Sequence, residues 1–164
     1  MGQYRAKSTD SRSFALLSNG VLLGSLQYPK WYSFKAEAVL ADDSKFDLEP
    51  RGFWDSKIEL KQGEKVLLDF KMGWKGIVIH TQFDGKENSY LLRMKGLLDS
   101  KYVLVDTDET ELLAVKTDFK WSKLSFDYAI ETSEAFDTHP QQTLFLLTII
   151  HCINYYLTMV TAAA

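Results

Sequence analysis

Cysteine is almost missing from this chain: Cys152 stands alone among 164 residues, so no internal disulfide can form, and a lone thiol favours a reducing compartment. A basic surplus is missing as well. The 19 Lys and Arg face 22 Asp and Glu, a formal net charge of -3, so no global positive field attracts nucleic acid or an anionic bilayer. Any site for an anion has to be a local patch, and no nucleic-acid partner is expected. Between Met1 and Ser18 no uninterrupted apolar run follows the basic residues, which argues against a signal peptide and makes the cytoplasm the expected compartment. Absent too are a CxxC pair, an HExxH, a phosphate-cradling glycine loop and a GxSxG; metal, nucleotide and serine-hydrolase chemistry have no anchor, and no cofactor is expected.

What is present reads as one domain of short strands. Hydrophobic residues make up 46% and charged residues 25%, the balance of an ordinary globular chain long enough to bury a core. Residues 1–12 are polar and are expected to form a loose leader, with a single barrel domain over 13–164. Ser13 to Leu17 and Val21 to Tyr28 flank Asn19-Gly20, a dipeptide suited to the positive φ angles of a tight hairpin. Lys35 to Leu40 and Lys45 to Glu49 flank Asp42-Asp43-Ser44, and Pro50 and Gly52 then interrupt the ladder. Ile58 and Leu60 alternate with Lys57, Glu59 and Lys61. After Gln62-Gly63-Glu64, Val66, Leu68 and Phe70 alternate with Leu67, Asp69 and Lys71. Ile77 to Phe83 turns at Asp84-Gly85 toward Tyr90, Leu92 and Met94, and Tyr102 to Asp106, Leu112 to Asp118 and Lys123 to Ile130 continue the meander. The period-two pattern predicts roughly eleven strands, plus or minus one or two.

At Thr138-His139-Pro140 the pattern changes to a capping residue and a proline, and Gln141 to Ala163 runs on without a charge. This predicts one helix over about 140–163, roughly 35 Å long at 1.5 Å per residue, apolar on every side and therefore buried. A tail anchor is the alternative, since about twenty uncharged residues match a membrane span. His151, Asn154, four threonines and the lack of flanking Lys or Arg favour a core helix. A barrel of about eleven strands has room for such a helix.

The stretch from Phe53 to Ala163, with Leu91-Leu92-Arg93-Met94-Lys95-Gly96, Tyr102-Val103-Leu104-Val105 and Leu112-Leu113-Ala114-Val115-Lys116 before the helix, resembles the tubby-like barrel superfamily. That superfamily comprises tubby C-terminal domains, phospholipid scramblases and LURP-one-related proteins, and the layout is most similar to the last. The resemblance implies a mainly β fold, a closed antiparallel barrel of about 11–12 strands enclosing an apolar C-terminal helix. It also implies, by the habit of tubby domains and scramblases, phosphoinositide or membrane-surface binding, although neither site aligns here residue by residue.

Catalysis lacks a candidate set. His80 lies in a strand, His139 precedes a proline and His151 sits in the apolar helix beside Cys152, and helix neighbours diverge too far to act as nucleophile and base. Asp106-Thr107-Asp108-Glu109-Thr110-Glu111 is too poor a calcium loop, because its sixth position is Glu111 rather than glycine and its twelfth is Thr117 rather than glutamate; a hairpin turn is expected. The candidate partner site is basic: Arg93 and Lys95 share one face of their strand, and Lys71 and Lys75 flank Met72-Gly73-Trp74 at an expected hairpin end. Lys71, Trp74, Lys75, Arg93 and Lys95 would bind an anionic phospholipid headgroup or membrane surface, with the protein peripheral there. The plainer reading makes them the wet face of a half-buried sheet. Trp31-Tyr32 after Pro29-Lys30 is a second aromatic loop open to the same two readings. A cytoplasmic protein-interaction module is the alternative function; oligomeric state is not encoded legibly.

Overall fold

The computed structural model describes residues 1–10, 13–29, 34–51, 57–96, 101–122 and 125–163. Twelve strands form the wall: β1 (Gly2–Asp10), β2 (Ser13–Ser18), β3 (Val21–Gln27), β4 (Ala36–Leu40), β5 (Lys45–Pro50) and β6 (Ile58–Gln62), then β7 (Lys65–Met72), β8 (Ile77–Thr81), β9 (Asn88–Lys95), β10 (Lys101–Val105), β11 (Glu111–Lys120) and β12 (Ser125–Thr132). Each pairs antiparallel with its sequence neighbours, and β1 pairs with β12 to close the barrel. Two helices follow, the short α1 (Glu134–Asp137) and α2 (Gln142–Ala163).

The leader expected over residues 1–12 is corrected here, because Gly2–Asp10 is the strand that closes the barrel. Its alternation is regular, with Ala6 and Ser8 buried and Arg5, Lys7 and Thr9 exposed. Apart from Tyr4, which packs on the core edge, the inward residues Ala6 and Ser8 are small, which hid the period from a reading based on large apolar side chains. Main-chain pairing fixes this strand, helped by the Ser8 amide donating to Asp127 Oδ1 at 3.0 Å and Gln142 Nε2 donating to the Tyr4 hydroxyl at 2.7 Å.

Every residue of α2 from Leu144 to Ile153 is 1% exposed or less. An α-helix can bury all its faces only when surrounded, and its ring contacts come from around the whole barrel. Phe145 meets Phe83 and Tyr90, His151 meets Tyr28 and Phe70, and Tyr156 meets Tyr102. Gly24 of β3 lets the helix come close, since a Cβ there would lie 2.8 Å from the Val39 carbonyl and 3.1 Å from Leu147 Cδ1. The buried Thr148 hydroxyl donates to the Leu144 carbonyl at 2.9 Å, so its burial leaves no stranded donor. Among the described residues no helix is long and apolar enough to cross a membrane. The uncharged segment is therefore accounted for by the lumen, and the tail-anchor alternative is set aside.

Strand direction sorts the connections. One end of the barrel carries the β2–β3, β4–β5, β6–β7, β8–β9 and β10–β11 turns and the entry of α2. The opposite end carries the β7–β8 and β11–β12 hairpins and the exit of α2, where Met159 is exposed.

Candidate anion-binding surface

At the β7–β8 connection the Gly73 amide donates to the Gly76 carbonyl at 2.7 Å. Gly76 has φ +146°, and a Cβ there would lie 2.3 Å from the Leu92 carbonyl, so only glycine lets the turn press this closely on β9. The chain between the two glycines is pushed outward and leaves the Trp74 side chain fully exposed. Lys71 lies outward on β7, opposite Val78, and Lys75 follows the indole; both are exposed. Among the described residues no carboxylate forms an ion pair with Lys71 or Lys75. The tip thus presents an indole between two ammonium groups. Behind it lies a cavity of about 220 Å³ lined in part by Trp74, Lys75, Met94, Tyr102 and Tyr156. That is below the roughly 300–1,000 Å³ of most small-molecule sites, which favours surface contact over enclosure. Burial pushes the Tyr102 phenol up to about 12, with the neighbouring Tyr156 adding to the rise, so the cavity wall is neutral there.

Arg93 and Lys95 do share the outer face of β9, but both are occupied. Arg93 Nη1 lies 3.0 Å from Glu109 Oε2, and Lys95 Nζ lies 2.7 Å from Glu111 Oε1. The hydrogen bond from Lys95 holds the Glu111 carboxyl below the usual carboxylate range, with the charges of Lys101 and Arg93 assisting. Exposed pairs of this kind contribute about 0–1 kcal/mol, a cost that an incoming phosphate meets at Arg93 and Lys95 and does not meet at Lys71 and Lys75. The sequence reading missed that Lys101 and Lys116 stand in register with Lys95 across β10 and β11. Periodicity within one strand carries no information on which residues face each other between strands.

Comparison with known proteins gives the fold alone. No family model matches the chain, and no curated protein matches it. A solved plant structure does. The crystal structure of an Arabidopsis thaliana protein is similar at a TM-score of 0.61 and 10% identity, over 94% of this chain and 90% of that one.

Elsewhere the histidines find distinct settings. Asp69, His80 and Ser89 face one another across β7, β8 and β9, and Ser89 Oγ lies 2.8 Å from His80 Nδ1, a neighbourhood that spacing along the sequence does not reveal. Asp69 Oδ1 is buried there without a hydrogen-bond partner. His139 packs between Phe83, Phe136 and Phe145, and its Nδ1 accepts from the Gln141 amide at 3.0 Å. His151 Nδ1 lies 2.6 Å from the Tyr28 hydroxyl inside the barrel. Burial raises the Tyr28 phenol and lowers His151 to about 4, against a smaller opposing pull from the Phe34 backbone. Both groups are neutral, so a single proton lies between the phenol oxygen and Nδ1, and Nε2 is buried without a hydrogen-bond partner. The acidic stretch after β10 is a turn held by Asp106 Oδ1, which accepts from the amides of Asp108 and Thr110 at 2.9 Å. Lys30-Trp31-Tyr32, Phe53 and Trp54 lie outside the described residues.

Proposed function

We propose that this chain is a non-enzymatic, tubby-like binding barrel that attaches peripherally to anionic phospholipid surfaces through Lys71, Trp74 and Lys75. The closed barrel around a buried helix is the layout on which the tubby-like resemblance rests. The observation that carries the reading is the fully exposed indole of Trp74 between two lysines at the tip of a glycine-pinned hairpin. An indole prefers the headgroup region of a bilayer, and each nearby Lys contributes about 1 kcal/mol toward an anionic leaflet. Arg93 and Lys95 play a lesser part, because an anion must first displace Glu109 and Glu111.

Sedimentation of the intact chain with vesicles of phosphatidylcholine and phosphatidylserine tests this. Lys71→Glu with Lys75→Glu is expected to abolish co-sedimentation, whereas Arg93→Gln with Lys95→Gln weakens it only a few-fold and leaves the melting curve within about 1 kcal/mol of the parent. Undiminished binding by the Lys71/Lys75 variant would overturn the assignment. No vesicle binding by the parent protein would favour a protein-interaction module instead.

A further inference from the structure

The two ends of the barrel differ in charge. Connections at the end where α2 enters hold Asp42, Asp43, Asp84, Asp106, Asp108 and Glu109, among other carboxylates, against Lys86, with Lys45 and Lys65 opening strands β5 and β7 there. At the opposite end, the described connections hold Lys35, Arg51, Lys57 and Lys75 and no carboxylate, and the strand ends add Lys71, Lys95, Lys101 and Lys120 alongside Glu37, Glu49 and Asp118. A chain with a net charge of -3 is repelled by an anionic surface unless such a dipole turns its basic end toward it.

A second aromatic tip stands on that basic end. At the β11–β12 hairpin Trp121 is 81% exposed; Phe119 meets the indole edge-on at 4.9 Å, and Phe126 packs on Phe119 at 5.1 Å. Lys120 precedes the indole and is paired with Asp118 at 2.5 Å. Three strand spacings separate β8 from β11, so the Trp74 and Trp121 hairpins stand about 14 Å apart along the sheet. The α2 exit, with Met159 exposed, opens at the same end. Apolar exposure at the other end is aliphatic or thioether, Met1 at the start of β1 and Val21 and Leu22 of β3, next to the acidic Asp42-Asp43 turn. Among the described residues, large exposed aromatic rings thus stand at one end only, the one with the basic connections.

Building on the membrane-surface reading above, we propose that the barrel docks end-on. The hairpins of Trp74 and Trp121 are two separate anchors in the headgroup layer of an anionic bilayer, and the acidic end points into the water. Two anchors and a surrounding ring of lysines fix the tilt, which one hairpin would leave free.

Cys152 is fully buried, so an introduced surface cysteine can be labelled selectively with a polarity-sensitive dye. Intact protein carrying Trp121→Cys, Lys7→Cys in the middle of β1 on the barrel wall or Asp42→Cys at the acidic end would be mixed with phosphatidylserine-containing vesicles, and Trp121→Ala would be titrated for affinity. End-on docking predicts a blue shift at position 121, none at 7 or 42, and a several-fold weaker affinity for Trp121→Ala. Silence at 121 in a protein that still sediments with vesicles, or a shift at 7 or 42, overturns the end-on inference and leaves the membrane reading standing. Failure of the parent to sediment overturns both.

Discussion

The two ends of this barrel solve different problems with different residues. At the acidic end the turns are short and locally specified: Asn19, Asp43, Asp84 and Glu109 adopt positive φ beside Gly20, Gly63 and Gly85, and Asp106 holds its own loop amides. These residues are accounted for by the turns they make. At the basic end Gly76 presses the β7–β8 chain against β9 and exposes an indole, which costs the protein solvated aromatic surface with no structural return in this chain. Residues that fold does not account for are the ones a surface-binding function would explain.

The same contrast runs along α2. Phe145, near the acidic end, is wholly buried among Phe83, Tyr90, Phe136 and His139, whereas Tyr155, toward the basic end, is half-buried between Phe34 and Phe70. The largest expected effect follows: Phe145→Ala should destabilise by about 3–5 kcal/mol in a urea titration, and Tyr155→Ala by clearly less. Equal losses would erase the distinction between a sealed and an open end. Next comes acid. His151 is lowered to about 4 and His139 is also lowered, both by burial first. An unfolded histidine titrates near 6.5, so the unfolded chain takes up the protons first. The stabilisation is complete above about pH 6.5 and is lost as pH falls toward 4, by about 3 kcal/mol for His151. Unfolding free energies measured across that window should show the decline, and His151→Gln should flatten it while lowering stability at neutral pH. A slope unaltered by His151→Gln would mean that the imidazole is not held neutral by the lumen.

Much of the fold was legible because its determinants are local. The Asn19-Gly20, Gly63 and Asp84-Gly85 turns and the alternation of β6, β7 and β9 each lie within a few residues of sequence, and the uncharged run from Gln141 announced a helix needing enclosure. Strand β1 was not legible, since Ala6 and Ser8 face inward and carry no apolar signal. The candidate site was half legible. Lys71, Trp74 and Lys75 are neighbours along the chain, and the hairpin brings them together as the sequence implies. The glutamates that occupy Arg93 and Lys95, the alignment of Lys101 and Lys116, and the shared end of Trp74 and Trp121 all depend on register and strand direction, which only closure of the barrel fixes.

The most direct measurement is flotation of the full-length chain with phosphatidylcholine vesicles, with and without phosphatidylserine or phosphoinositide, at low and physiological salt. A basic end reading an anionic surface predicts binding to the anionic vesicles alone, weakening as screening rises. Binding indifferent to lipid charge and salt, or no binding at all, would contradict it.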